Sequence, residues 1–151
     1  ESEQNPLNYY INNTDNTTIL IEAGTQTGVN KVILSSTATP YGGPQTPVVS
    51  ETSPIAPINP YGRSKLMSEK VLRDGSIANP EFKHCLLSNF NGAGACKDYT
   101  LGQRYAKATL LIKVAAEWAA GKRDKLFIFG DDYDTKDGTC IRDFIHVDDI
   151  S

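Results

Sequence analysis

The sequence predicts an α/β fold built on a parallel sheet. Three observations predict it: segments with helical spacing alternate with short apolar runs, the first of those runs is β-branched without polar alternation, and a long loop follows it. In order along the chain, Leu7, Tyr10, Ile11, Ile19, Leu20, Ile21 and Ala23 recur at broadly helical intervals and Gly28 stands where a helix stops, so residues 7–27 are expected to form a helix. Lys31-Val32-Ile33-Leu34-Ser35-Ser36 reads as a parallel strand buried on both faces. Residues 37–60 are rich in Pro, Gly, Ser and Thr, and a loop at the carboxyl end of such a strand is where open α/β sheets hold ligands. Asn59-Pro60 marks the next helix, which Leu66, Met67, Val71 and Leu72 carry over 61–72. Further strands are expected over 82–87, 126–129 and 141–145, a helix over 106–120, and the start of another helix after Val147.

Composition narrows the function classes. A length of 151 residues with 39% hydrophobic content suits a globular unit with a packed core. Fifteen Lys and Arg against eighteen Asp and Glu give a net charge of -3 with no basic run, which argues against a nucleic-acid partner. No apolar stretch approaches the roughly 20 residues of a membrane span, so no membrane partner is expected. Cys85, Cys96 and Cys140 are odd in number and far apart, which favours reduced thiols in a cytoplasmic protein over a disulfide framework or a zinc site.

The chemistry concentrates at Tyr61-Gly62-Arg63-Ser64-Lys65. On a helix, positions four apart share a face, so the phenol of Tyr61 and the ammonium of Lys65 reach a common site. A phenol is a poor base at neutral pH, but a neighbouring cation favours its phenolate and fits it for proton transfer to and from an alcohol. Taken alone, this spacing more often makes a surface pair whose lysine stem packs on the ring.

The context decides between the two. Ser35-Ser36-Thr37-Ala38-Thr39-Pro40-Tyr41-Gly42 follows the first strand, 24 positions separate Thr37 from Tyr61, and Asn59-Pro60-Tyr61-Gly62 leads into Ser64-Lys65-Leu66 and Glu69. Together these segments resemble the extended short-chain dehydrogenase/reductases that act on nucleotide sugars, the UDP-glucose 4-epimerases above all. The resemblance implies that Tyr61 is the acid/base, that Lys65 binds the nicotinamide ribose and tunes Tyr61, and that Thr37 lies beside the substrate hydroxyl. It further implies that Ser35 and Ser36 join Tyr61 and Lys65 at the cofactor, NAD. Pro6-Leu7, Tyr9-Tyr10 and Asn12-Asn13 resemble the family's P-x-x-Y-Y-x-N-N helix, which implies a cofactor contact for Asn12.

For the substrate, Asn89-Phe90-Asn91-Gly92-Ala93-Gly94-Ala95 resembles the family's Y-F-N-x-x-G-A segment and implies diphosphate binding by Asn91, which otherwise reads as a turn former. Residues 121–133 resemble the approach to the uridine pocket and place Phe127 and Phe129 beside the uracil; without the resemblance both read as strand core. Asp137-Gly138-Thr139 through Arg142-Asp143-Phe144-Ile145-His146 resembles D-G-T-x-x-R-D-[YF]-I-H, which implies a diphosphate contact for Arg142, whose planar guanidinium suits phosphate oxygens. His146 is expected to be structural. No metal site is expected. Lys113 stands where the family places a proline at its uridine-binding helix.

The resemblance implies the central portion of a Rossmann-like sheet and the start of a smaller substrate-binding domain, truncated at both ends. Residues 1–95 would belong to the NAD-binding domain and 96–151 to the substrate region. The reaction implied interconverts UDP-galactose and UDP-glucose through a 4-keto sugar, in a homodimer. No G-x-x-G-x-x-G phosphate loop occurs in these residues, so the isolated chain is expected to bind NAD poorly and to be inactive. Two alternatives remain: another nucleotide-sugar epimerase or dehydratase of the same fold, and a non-catalytic binding or interaction fragment. Dehydratases usually carry an acidic pair where Ala38-Thr39 stands.

Overall fold

The computed structural model describes residues 1–43, 48–105 and 107–151. Residues 44–47 of the expected loop and Ala106, the first residue of the expected fourth-quarter helix, lie outside the described residues. The chain divides into two compact units, Glu1–Asn89 and Phe90–Ser151.

The first unit opens on a single helical path in three parts: α1 (Pro6–Tyr9), a π-helical segment (Tyr10–Asp15) and α2 (Asn16–Gln26). The expected helix is therefore present, with a wider turn inserted at Asn12 and Asn13. The flanking residues Tyr10, Asp15 and Asn16 all keep right-handed helical dihedrals, so the chain does not bend out of the helix there. Such π turns shift the register of the following face, and they recur at functional sites.

Two parallel strands follow, β1 (Lys31–Ser35) and β2 (Lys83–Leu87), paired from Lys31 with Lys83 to Ser35 with Leu87. Between them runs α3 (Pro60–Ala78), which makes this a βαβ unit. Its start is set locally: extended Asn59 accepts a hydrogen bond on its side chain from Gly62 N at 2.8 Å, and Pro60 occupies the first turn. The helix runs past Leu72 because nothing stops it until Asn79-Pro80, where the proline disfavours helical dihedrals for the residue before it. Phe82 N then donates to Asn79 O at 2.9 Å and turns the chain into β2.

Leu72 is fully buried and Phe82 is 3% exposed; the Phe82 ring packs over Gly75. Nearer the start of α3, Asn13 Nδ2 donates to Ser64 Oγ at 2.9 Å, Thr14 Oγ1 to Ser64 O at 3.1 Å, and Ser68 Oγ to Asn13 O at 2.8 Å. The π segment is thus held to α3 by polar contacts. The expectation that β1 is buried on both faces is not met: Ile33 is 72% exposed and β2 is its one strand partner among the described residues. An apolar run predicts that a face can be covered; it does not supply the cover.

The second unit pairs β3 (Asn91–Ala93) with β4 (Phe144–His146) in parallel, and carries α4 (Leu111–Ala119) and α5 (Val147–Ile150). The strand expected over 141–145 begins later, and the one expected over 126–129 is absent among the described residues. Phe127 and Phe129 stack on each other with centroids 6.1 Å apart, and Phe129 is 96% exposed. A strand needs a ladder partner, and this segment has none among the described residues. The helix expected from 106 starts at Leu111, after extended Leu110. Lys113 pairs with Glu117 at 2.9 Å, Glu117 accepts from Arg123 Nε at 2.6 Å, and Arg123 reaches Ala108 O at 3.1 Å, which holds the segment before α4. No helix among the described residues is long and apolar enough to cross a membrane.

Candidate active site

In the first unit the candidate residues gather where β1 ends against α3. Lys65 Nζ donates to Ser35 O at 3.3 Å, so one turn of the helix grips the last residue of the strand. The residue is half-buried, and that burial holds the ammonium pKa below that of a free lysine. Tyr61, one turn earlier on the same face, meets Tyr9 of α1 edge to face, with ring centroids 5.9 Å apart and an interplanar angle of 81°. The phenol is therefore oriented by a second aromatic ring from the helix that carries Asn12. Asn12 itself is exposed, whereas its neighbour Asn13 is the residue that binds α3.

Beyond β1 the chain turns tightly. Thr37 Oγ1 lies 2.9 Å from Thr39 Oγ1 and accepts from Thr39 N at 3.3 Å, and a short 3-10 turn, Thr39–Tyr41, follows. Ala38 N donates to Asn89 O at 3.2 Å and Asn89 Nδ2 to Ser35 Oγ at 3.3 Å, which ties this turn to the residues after β2. Ser36 is buried, its N–H pairs with Leu87 O at 2.9 Å, and its hydroxyl donates to Glu69.

The charge of Lys65 has a signed consequence. Below its lowered pKa the ammonium is present in folded and unfolded chains alike, and the full cost of burying it weighs on folding. As pH rises from that value to the ordinary 10.5, the folded chain releases its proton first, so stability from this group increases while its positive charge is lost. A ¹³Cε titration of Lys65 is expected to show a midpoint below 10.5, and a midpoint at or above 10.5 overturns the burial argument.

Gly62 gives a second test. A β-carbon there would lie 2.9 Å from Thr39 Cγ2 and 3.3 Å from Thr39 O. Gly62→Ala gains about 1 kcal/mol in helix propensity and loses about 1–3 kcal/mol to crowding. The expected result is a melting temperature within a few degrees of the parent and a turn at 37–39 pushed from α3. Unchanged hydrogen exchange at Thr37 and Thr39 in this variant would show that the contact does not matter.

In the second unit, Asn91 opens β3 and Arg142 lies two residues before its partner strand β4. Asn91 Nδ2 donates to Asp143 O at 2.8 Å, next in chain to Arg142, whose guanidinium is exposed and donates to Ile141 O at 3.3 Å. Phe127 and Phe129 form a separate exposed aromatic step. His146 accepts from Asp148 N through Nδ1 at 3.2 Å and so caps α5, a structural task. Among the described residues no group of three His, Cys, Asp or Glu side chains is placed to hold a metal ion.

Sequence reasoning missed the polar face of α3: Ser64, Ser68 and Glu69, with Asn13 opposite. A signal was present, since 61, 65 and 69, and 64, 68 and 72, are the two adjacent rows of one helix face.

The profile of the NAD dependent epimerase/dehydratase family matches residues 1–151. The chain belongs to this family. Over 151 residues it is 50% identical to the UDP-glucose 4-epimerase of Azospirillum brasilense, covering all of this chain and 43% of that protein. Among solved structures it is similar to the UDP-Glc/GlcNAc 4-epimerase of Campylobacter jejuni, at 84% identity and a TM-score of 0.74, over 99% of this chain and 46% of that one. The UDP-glucose 4-epimerase of Bifidobacterium longum, in complex with NAD+ and UDP, superposes with a TM-score of 0.92 at 40% identity, over 99% of this chain and 45% of that one. The chain thus spans a little under half the length of these epimerase/dehydratase family members. Its α/β architecture with parallel strands is that of the Rossmann-like epimerase structures.

Proposed function

We propose that this chain is part of an NAD-dependent UDP-sugar 4-epimerase that interconverts UDP-galactose and UDP-glucose. One observation carries the reading: Lys65 is anchored on Ser35 O at the end of β1, one helical turn from Tyr61 and two residues before Thr37, in a chain 50% identical to such an enzyme. Positions four apart share a helix face, which supports an acid/base role for Tyr61 with Lys65 beside it.

The donors present fit NAD. Lys65 offers an ammonium whose bonding to Ser35 O leaves further protons free to bind ribose hydroxyls, and the exposed amide of Asn12 sits on the neighbouring helix. When bound, NAD supplies the hydride acceptor and donor. The chain's own residues do the rest. Tyr61, as phenolate, accepts the proton of the sugar 4-hydroxyl and returns it after the keto sugar has presented its other face. Thr37 positions that hydroxyl. Asn91 and Arg142 hold the diphosphate and so tether the keto sugar while it turns, and Phe127 and Phe129 border the uracil. Ser35 completes the cofactor side, and the hydroxyl of Ser36 is taken by Glu69.

In this reading residues 1–95 serve the cofactor and 96–151 begin the substrate region. The intact protein acts in the cytoplasm as a homodimer, with the exposed Leu7 on α1, Ile11 on the π segment and Met67 on α3 available for the contact. Residues 1–151 alone, lacking the phosphate loop, are inactive. The test is conversion of UDP-galactose to UDP-glucose by the intact protein loaded with NAD; a folded, loaded protein that converts nothing refutes the proposal. A second reading, acceptance of the N-acetylated hexose as well, is favoured by the 84% identity to an enzyme described as acting on UDP-Glc and UDP-GlcNAc. The same assay with UDP-N-acetylgalactosamine decides it.

A further inference from the structure

Glu69 is the one carboxylate on the buried face of α3, which otherwise hides Pro60, Gly62, Ser64, Ser68 and Leu72. It is 7% exposed, and its Oε1 accepts the hydroxyl of Ser36 at 2.5 Å. Burying a carboxylate costs several kcal/mol, and apolar replacements of buried charges are often neutral or stabilising, so stability alone does not account for Glu69. Geometry offers another account. Ser35 O receives Lys65 Nζ, and the next residue, Ser36, is bound by Glu69, four positions further along the same helix face. Successive strand residues are therefore locked to successive helical turns. The residue after them is Thr37.

We propose that Glu69 and Ser36 form a positioning pair that sets the end of β1 in register with α3, and so holds Thr37 and the Ser35 carbonyl in place relative to Tyr61 and Lys65. This rests on the epimerase reading above for its effect on turnover, though not for its effect on structure. It assigns the Ser36 hydroxyl to Glu69 in place of the cofactor.

The experiment compares Ser36→Ala, Glu69→Leu, the double variant and Glu69→Gln in the intact, NAD-loaded protein, with kcat, KM, NAD affinity and hydrogen exchange over 35–39 read for each. A positioning error of under an ångström predicts a kcat fall of about tenfold to a hundredfold in each of the first two, with KM and NAD affinity within about twofold. The double variant falls no further than the worse single, since one bond is lost in all three. Glu69→Gln keeps an acceptor for Ser36 and restores kcat to within about threefold. Exchange over 35–39 quickens in the first three and not in the fourth. A tenfold loss of NAD affinity in Ser36→Ala, multiplicative losses in the double variant, or unchanged kcat and exchange in a folded Ser36→Ala each overturn the pair. If Glu69→Leu does not fold, Ser36→Ala and Glu69→Gln decide alone. A parent protein without turnover refutes the epimerase reading and leaves the exchange measurement to judge the pair.

Discussion

Tyr61→Phe is expected to lower epimerase turnover by about a hundredfold to ten-thousandfold while leaving NAD binding within about twofold. The substitution removes one oxygen and keeps the ring. The edge-to-face contact with Tyr9, at 5.9 Å, is made by the ring, so α1 and α3 stay packed and the melting temperature changes little. Lys65 keeps its bond to Ser35 O, so the grip on the strand end is also retained. What disappears is the group that exchanges a proton with the sugar hydroxyl. Turnover is measured as UDP-glucose formed from UDP-galactose, and cofactor binding by NAD content after gel filtration. Retained turnover would remove Tyr61 from its role; loss of NAD in parallel with turnover would make it a cofactor-site residue instead.

Much of this arrangement was legible because it is local. The helix start at Asn59-Pro60, the βαβ succession through α3 and the i, i+4 relation of Tyr61 to Lys65 depend on neighbours in sequence, and all three are present in the structure. Elements that depend on distant partners were not. Asn91-Gly92-Ala93 forms a strand only because it meets Phe144-Ile145-His146, and no run of three with a central glycine announces that. Conversely, Leu126 to Phe129 has a strand's composition and finds no ladder.

The site shows the same division. Lys65 and Thr37 stood out as candidates from motif and spacing, whereas the bond from Ser36 to Glu69 joins residues 33 positions apart and was invisible until helix and strand were placed together. The two asparagines illustrate how small the deciding difference is. Asn12 and Asn13 look equivalent in sequence, but within the π segment Asn13 turns to Ser64 while Asn12 stays exposed. A regular helix would have carried each of them to a different angle, and the extra backbone residue of a π turn is not encoded in side-chain periodicity.

Gly42→Ala is expected to be the most damaging of the loop substitutions. Gly42 closes the 3-10 turn at φ 68° and ψ -135°, a region that residues with a β-carbon enter at a cost of about 1–3 kcal/mol. A β-carbon would also lie 2.1 Å from Ala56 O. That overlap is with backbone, so no rotamer change relieves it. The segments must part, and the bond from Ala56 N to Pro40 O, 2.8 Å long, is the one that opens, at about 0.5–1.5 kcal/mol. Pro40 is buried and adjoins Thr39, whose hydroxyl lies 2.9 Å from that of Thr37, so the disturbance runs straight to the residue proposed to position the substrate. Gly43→Ala is the control: its β-carbon would meet none of the described residues within 4 Å, and it is expected to stay within about 0.5 kcal/mol of the parent. Denaturant unfolding of the two variants should therefore separate them by about 2–4 kcal/mol, with kcat/KM reduced only in Gly42→Ala. Equal stability in the two would mean that the backbone at 42 relaxes freely, and that the turn carrying Thr37 is held by α3 and not by the loop.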